Sequence, residues 1–187
     1  MSIEIEAKLK VDSLEEIKRK LTELGAEFGQ EQLQKDYHLD DVNGTLQKTD
    51  CCLRLRRQIV NGSERFFLTY KGAKEKSSFK KRQEIEIEIT DGDSVLNLFS
   101  ALGYEKVLTI EKKRLTWHIG GCVVALDELP LIGSFVEIEG PDEQKITEVQ
   151  KSLGLSRSPH IKKSYAALIR TKLRELGKEQ KEVFLQT

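Results

Sequence analysis

The sequence predicts an α+β fold: a β-sheet closed or nearly closed on itself, with charged faces turned inward around a polar lumen and apolar faces turned outward under helices. Three observations carry this expectation. Several stretches alternate between charged and apolar residues, which puts the charges on one face of a strand. The segments between them carry apolar residues at helical spacing. The motif Ile/Val-Glu-Ile-Glu, followed by a helix ending in Leu-Gly, occurs three times, over 3–25, 85–103 and 136–154, so strand-then-helix is a repeated unit. A solvated outer face is the ordinary use of one such alternation. Were every charged face solvated, however, the apolar faces would fill a single barrel interior and the helical stripes would have nothing to cover. Turning the charges inward satisfies both sets.

Each element has its own signal. Ile3 to Val11 alternates Glu4, Glu6, Lys8 and Lys10 with Ile3, Ile5, Ala7, Leu9 and Val11, a strand with one charged and one apolar face. Lys10, at its end, is expected to reach solvent. Ser13 and Glu16 form a capping box, and Leu14, Ile17, Leu21 and Leu24 recur at helical spacing until Gly25. From Phe28 to Asp50 the chain is polar and turn-rich, with one candidate strand at Lys35–Leu39 and a loop at Asn43-Gly44. Leu53–Gln58 and Arg65–Lys71 read as a hairpin about Asn61-Gly62, and 72–78 as a mobile loop. Residues 80–90 repeat the opening design, with Lys80, Arg82, Glu84, Glu86 and Glu88 on one face. Asp93 or Ser94 caps a helix bearing Val95, Leu98, Phe99 and Leu102. Lys112, Arg114, Thr116 and His118 share the next face; after Gly120-Gly121, Cys122–Leu129 delivers Asp127, and 133–140 delivers Glu137 and Glu139. A helix from about Asp142 buries Ile146, Val149 and Leu153, and Ser164 begins the last one. Residues 1–176 form one domain; 177–187 are a charged tail expected to fray.

Composition excludes several classes. Charged residues make up 33% of the 187, but 31 Lys+Arg balance 31 Asp+Glu, so no basic field announces nucleic acid. Three cysteines, two of them adjacent, offer neither metal-ligand spacing nor an even disulfide framework and point to a reducing, cytoplasmic setting. No apolar run approaches membrane-spanning length, and the N-terminus lacks a signal-peptide pattern. Neither a membrane nor a nucleic-acid partner is expected.

Burying so many charges is costly unless they pair or hold a ligand. The lumen cations Lys8, Arg54, Arg56, Lys71, Arg82, Lys112 and Arg114 outnumber what pairing with a few carboxylates requires, and an elongated polyanion would settle them. Glu4, Glu6, Asp127, Glu137 and Glu139 are hard oxygen donors suited to Mg²⁺ or Mn²⁺. A polyphosphate with a hard divalent metal uses both sets.

These residues also carry a resemblance. Glu4-Ile5-Glu6-Ala7-Lys8 resembles the ExExK signature of the CYTH superfamily, the triphosphate tunnel metalloenzymes, which include class IV adenylyl cyclases, thiamine triphosphatases and inorganic tripolyphosphatases. The likeness continues in order through Asp36 and Tyr37, Leu53-Arg54-Leu55-Arg56, Thr69-Tyr70-Lys71-Gly72, Arg82-x-Glu84-x-Glu86, Lys112-Lys113-Arg114, Leu126-Asp127, Gly133-x-Phe135-x-Glu137-x-Glu139 and Ser164-Tyr165, over roughly residues 2–170. It implies an antiparallel eight-stranded tunnel flanked by helices that binds a triphosphate along its axis. Glu4, Glu6, Asp127, Glu137 and Glu139 are then metal ligands, Lys8, Arg54, Arg56, Lys71, Lys112 and Arg114 triphosphate ligands, and Glu84 and Glu86 orienters of the basic residues. Cys51-Cys52 and a C-terminal helix running past the family's usual end are departures. Lys162 or Lys163 is a candidate plug for the tunnel.

The catalytic candidates are Lys8 and Lys71, which stabilise developing charge, and Tyr37, which touches a leaving group or its base unless it simply packs. His118, a lone histidine by a Gly-Gly turn, is read as structural, and Trp117 as core. The cysteines have no recognisable histidine partner for nucleophilic work. The expected reaction is metal-dependent triphosphate hydrolysis on ATP, tripolyphosphate or thiamine triphosphate, by a monomer or homodimer. Cyclisation of ATP to cyclic AMP and pyrophosphate is the alternative, and a non-catalytic polyphosphate- or nucleotide-binding module the third. Few aromatics share a charged face, so binding energy is expected to follow the triphosphate and not the nucleoside.

Overall fold

The alternating strands close into a ring. In the computed structural model, which describes residues 2–186, the strands are β1 (Ser2–Lys10), β2 (Glu27–Asp41), β3 (Cys52–Val60), β4 (Ser63–Lys71), β5 (Lys80–Ile89), β6 (Tyr104–Ile119), β7 (Cys122–Leu129), β8 (Gly133–Glu139) and the two-residue β9 (Glu182–Val183). Their order is β2-β3-β4-β5-β1-β8-β7-β6, and β2 pairs with β6 to close an eight-stranded barrel, antiparallel throughout. Closure leaves no unpaired ring edge. The expected fold class is therefore observed. The three strands bearing the repeated Glu-Ile-Glu are β5, β1 and β8, and they are neighbours; β8 sets Glu139 beside Glu6, whereas β5 sets Arg82 and Lys80 beside Glu4 and Glu6.

The helices are α1 (Leu14–Glu23), α2 (Thr45–Lys48), α3 (Gly92–Ala101), α4 (Glu143–Ser152) and α5 (Tyr165–Glu175). Ser13, Asp91, Asp142 and Ser164 cap α1, α3, α4 and α5, each side chain accepting from the backbone N–H three residues on. The α3 cap is Asp91, two residues before the earlier of the two expected positions. On the outer face of β1, β7 and β8, Ala7, Leu9, Val124, Leu126, Val136 and Ile138 are buried with Ile17 and Leu21 of α1 and Ile146, Val149 and Leu153 of α4. A second cluster joins Leu108, Ile110, Leu129 and Phe135 to Ala166, Ile169 and Leu173 of α5. The outer face around β5 stays uncovered: Ile3, Ile85 and Ile87 are exposed.

Three segments differ from expectation. Strand β2 runs over fifteen residues, although only Lys35–Leu39 carried a strand signal. Its inward residues Gln32 and Gln34 are uncharged amides and its outward Leu33 is exposed, so no apolar-charged alternation marks it. A bulge between Phe28 and Glu31 bends its start. Gly29 is required there, because a Cβ would come within 2.7 Å of Thr116 Oγ1. The loop over 72–79 is fastened, not free: Lys74 pairs with Asp50, Ser77 Oγ donates to Glu143 at 2.7 Å, and Lys162 Nζ donates to the Ser77 carbonyl at 2.6 Å. The tail does not fray throughout. β9 runs parallel to β6, with Thr109 N–H donating to the Lys181 carbonyl at 2.7 Å, and Val183 is buried among the α5 cluster.

Candidate active site in the barrel lumen

Side-chain parity places the charges as the sequence implied. Even positions of β1, β2, β3, β5 and β6 and odd positions of β4, β7 and β8 point inward, around a cavity of about 290 Å³. Glu4, Glu6, Lys8, Arg54, Arg56, Lys71, Arg82, Lys112, Arg114, Glu137 and Glu139 all line it. Asp127 lies fully buried just beneath Arg114 and Lys112. Tyr37 is not brought to the lumen. It has outward parity on β2, where Lys35 and Lys106 each lie 5.8 Å from its ring. His118 is exposed at the barrel rim, and Trp117 packs in the outer core, edge-on to Phe28 at 5.1 Å.

The cations are not left over. Each lumen lysine or arginine has a carboxylate partner. Lys71 Nζ lies 2.7 Å from Glu4 and 2.8 Å from Glu84; Arg82 reaches Glu4 at 3.5 Å. Lys8 lies 3.2 Å from Glu137 and 3.7 Å from Glu6. Asp36 takes Arg56 through a two-point bond at 2.6 and 2.8 Å and Arg54 at 3.6 Å. That pair of guanidinium groups more than offsets burial and holds the Asp36 carboxyl far below its usual range. Glu86 orients Arg54 at 3.6 Å and accepts from Thr69 Oγ1 at 2.8 Å. The expected excess of unpaired cations is thus corrected: Asp36, Glu84 and Glu86 complete the pairing, and a polyanion must compete with them.

Two groups titrate near neutrality. Lys112 is buried, and Asp127, its partner at 3.3 Å, is held more closely by Arg114 at 2.6 Å. Burial and the neighbouring guanidinium therefore lower the Lys112 ammonium to about 7. Glu139 stands at the rim without an ion pair among the described residues. Desolvation by the surrounding wall, with the carboxylates of Glu4 and Glu6, raises it to about 7. Glu4 and Glu6 themselves are held by Lys71, Arg82 and Lys80, and among the described residues no three Asp, Glu, His or Cys side chains converge as a ready-made metal cluster. Glu139 with Glu4 and Glu6 nevertheless supplies donors that fit a hard cation: they are oxygen ligands, and the Glu4 and Glu6 carboxylates oppose ionisation of Glu139, which a cation there would favour.

One end of the lumen is closed by α5. The Tyr165 ring covers Lys8 Nζ at 4.1 Å and Lys112 Nζ at 5.1 Å, and Lys8 also donates to the Lys163 carbonyl at 3.2 Å. The side chains of Lys162 and Lys163 are exposed and line no part of the cavity, so neither is the plug. Beside this end, half-buried His38 is pushed down to about 3 by desolvation, stays neutral, and lies 3.6 Å from Cys52 Sγ.

Four inward residues had no assigned place. Lys80 stood in the β5 alternation, and its ammonium lies 2.6 Å from Glu6. Gln32, Gln34 and Gln58 are buried in the wall, and uncharged amides give no alternation signal.

Comparison with known proteins agrees with this architecture. MJ0240 of Methanocaldococcus jannaschii, which carries a provisional adenylate cyclase name, is 30% identical over 89% of this chain and 98% of its own. The PH1819 protein of Pyrococcus horikoshii superposes with a TM-score of 0.78 at 32% identity, over 90% of this chain and 99% of that one. The Hippeastrum protein HpAC1, an adenylyl cyclase candidate with a dominant triphosphatase activity, shares the fold at a TM-score of 0.73 and 19% identity, over 95% and 97% of the two chains. The family model described as the CYTH domain matches residues 2–165. With the ordered lumen residues, that match makes the chain a member of the CYTH domain family.

Proposed function

We propose that this chain is a divalent-metal-dependent enzyme that binds a triphosphate along its tunnel and hydrolyses it, releasing a terminal phosphoryl group. The observation that carries the proposal is the division of the ring. The neighbouring strands β1 and β8 supply Glu4, Glu6 and Glu139, while β3 and β6, neither of them adjacent to β1 or β8, supply Arg54, Arg56, Lys112 and Arg114. A triphosphate takes the cations, arginines in two-point contacts and lysines as point charges. Glu4, Glu6 and Glu139 would hold Mg²⁺ or Mn²⁺, and Glu137 and Asp127 would become further donors were Arg114 to turn to phosphate. When bound, the metal supplies charge neutralisation and polarises a phosphoryl oxygen. Lys8 and Lys71 stabilise charge that develops on the transferring group. Tyr165 excludes water from the closed end. Three unpaired cysteines support a reducing, cytoplasmic setting.

The second reading is a class IV adenylyl cyclase, in which the ribose 3′-hydroxyl attacks the α-phosphorus and pyrophosphate leaves. The adenylate cyclase name of the 30%-identical relative favours it. Incubation with ATP, tripolyphosphate and thiamine triphosphate under Mg²⁺ or Mn²⁺ separates the two. Orthophosphate release is expected; cyclic AMP with pyrophosphate would move the assignment to cyclisation, and no product from any of the three would leave a binding module.

A further inference from the structure

We infer that Gln32, Gln34 and Gln58 form the subsite that reads the group attached to the polyphosphate, and so make this tunnel prefer an organic triphosphate to bare tripolyphosphate. The inference rests on the tunnel reading above and adds the residues that discriminate.

Every other function of the lumen is served by charge. A phosphate oxygen calls for a lysine or arginine and a hard metal for a carboxylate, whereas an amide is the weaker choice for both. An amide instead donates and accepts at once, which matches sugar hydroxyls and the edges of nucleobases. Three of them stand together in this wall. Gln34 pairs in register with Gln58 across β2–β3 and with Lys112 across β2–β6, and Gln32 with Arg114. The cluster therefore begins beside the cations that would hold phosphate, and a substituent on that phosphate would meet amides next.

The hydrogen bonding is incomplete in an informative way. Gln34 Nε2 donates to Gln58 Oε1 at 3.1 Å and also to Gln32 Oε1. Both outer glutamines thus spend their acceptors on Gln34, and their own NH₂ groups remain for the lumen. Gln34 is 1% exposed, yet its Oε1 has no partner. A buried carbonyl oxygen without a donor is costly, and its cost is removed by a ligand that brings a hydroxyl or N–H. The cluster thus offers two donor groups and one unmet acceptor; phosphate oxygens can accept from the donors, but tripolyphosphate brings no donor for the acceptor. The expectation that binding ignores the nucleoside is revised accordingly: it counted aromatics on charged faces, and the discriminating groups are amides on a strand without an alternation signal.

The test measures dissociation constants for ATP and tripolyphosphate by titration calorimetry with metal withheld, which prevents turnover. Wild type should bind ATP at least tenfold more tightly than tripolyphosphate, and Gln34→Leu and Gln58→Leu should each bring the ratio close to one. Gln58 is less completely buried than Gln34, at 8% against 1% exposed, so its variant keeps the test alive should Gln34→Leu fail to fold. A wild-type ratio of one or less, or variants that weaken both ligands equally, would overturn the inference and leave the amides as wall structure. Failure of wild type to bind tripolyphosphate both without metal and with Mg²⁺ would instead sink the tunnel reading, and this one with it.

Discussion

Glu139 and Lys112 each have the charged form opposed by their surroundings, and their responses to ligand should be opposite. Glu139 titrates near 7 because the wall and two carboxylates oppose its charge. Its folded value lies above its unfolded one, so between roughly pH 4.5 and 7 the folded protein holds the extra proton. The stability this provides is present at low pH and lost as pH rises through 7. Glu139→Gln should therefore flatten that part of the melting-temperature profile, while raising the Mg²⁺ concentration needed for half-maximal turnover about tenfold, the ~1.4 kcal/mol expected of one lost charged ligand contact. An unchanged Mg²⁺ requirement would remove Glu139 from the metal set. Lys112, lowered to about 7, is largely neutral at pH 8. A polyanion placed beside it restores the ammonium, so tripolyphosphate binding at pH 8 should take up protons. Calorimetry in buffers of different ionisation enthalpy measures this directly, and Lys112→Met should reduce the uptake.

At the scale of elements, the sequence was legible wherever charge and apolarity alternated. β1, β5 and β8 announce themselves in this way, and each is followed by a helix as the repeated unit implied. β2 escaped because its inward Gln32 and Gln34 and outward, exposed Leu33 break the alternation, although β2 closes the ring. Parity assigned the lumen residues one by one, but it could not say which carboxylate pairs with which cation, since partners such as Asp36 and Arg56 are set by register across strands. Nor could it place Tyr37 outward without the true span of β2. β9 was hidden for a different reason: two residues in a charged tail carry no period, and only the free edge of β6 beyond β7 gives them a partner. Ending the chain after Gly177 should expose the surface that Val183 covers and cost about 2 kcal/mol, the usual value of one buried aliphatic side chain. Urea unfolding would detect it, and a truncated chain as stable as the full one would show that β9 merely rests on the barrel.

For the whole molecule, the decisive property is that its lumen cations are already paired. A triphosphate entering alone must pull Lys71 and Arg82 from Glu4, Lys80 from Glu6 and Arg114 from Asp127 and Glu137. It leaves those carboxylates buried without counter-charge, and breaking a buried pair one-sidedly is expensive. A divalent ion entering alone meets the mirror problem, because the lysines stay behind. Together the two ligands exchange one set of ion pairs for another and leave neither sign uncompensated. Metal and triphosphate should therefore bind cooperatively, and reciprocally so. We expect Mg²⁺ to lower the tripolyphosphate dissociation constant at least tenfold, a coupling of ~1.4 kcal/mol or more, after correction for the complex they form in solution. With both present at a hundredfold excess over their dissociation constants, each contributes about 2.7 kcal/mol of stabilisation by mass action, which a thermal shift would register. Glu4→Gln should weaken the coupling more than it weakens tripolyphosphate binding alone, because the mutation releases Lys71 and Arg82 while removing a metal donor. Equal tripolyphosphate affinity with and without Mg²⁺ would mean that the carboxylates serve only to balance the barrel's charge, and the hydrolytic reading would lose its metal.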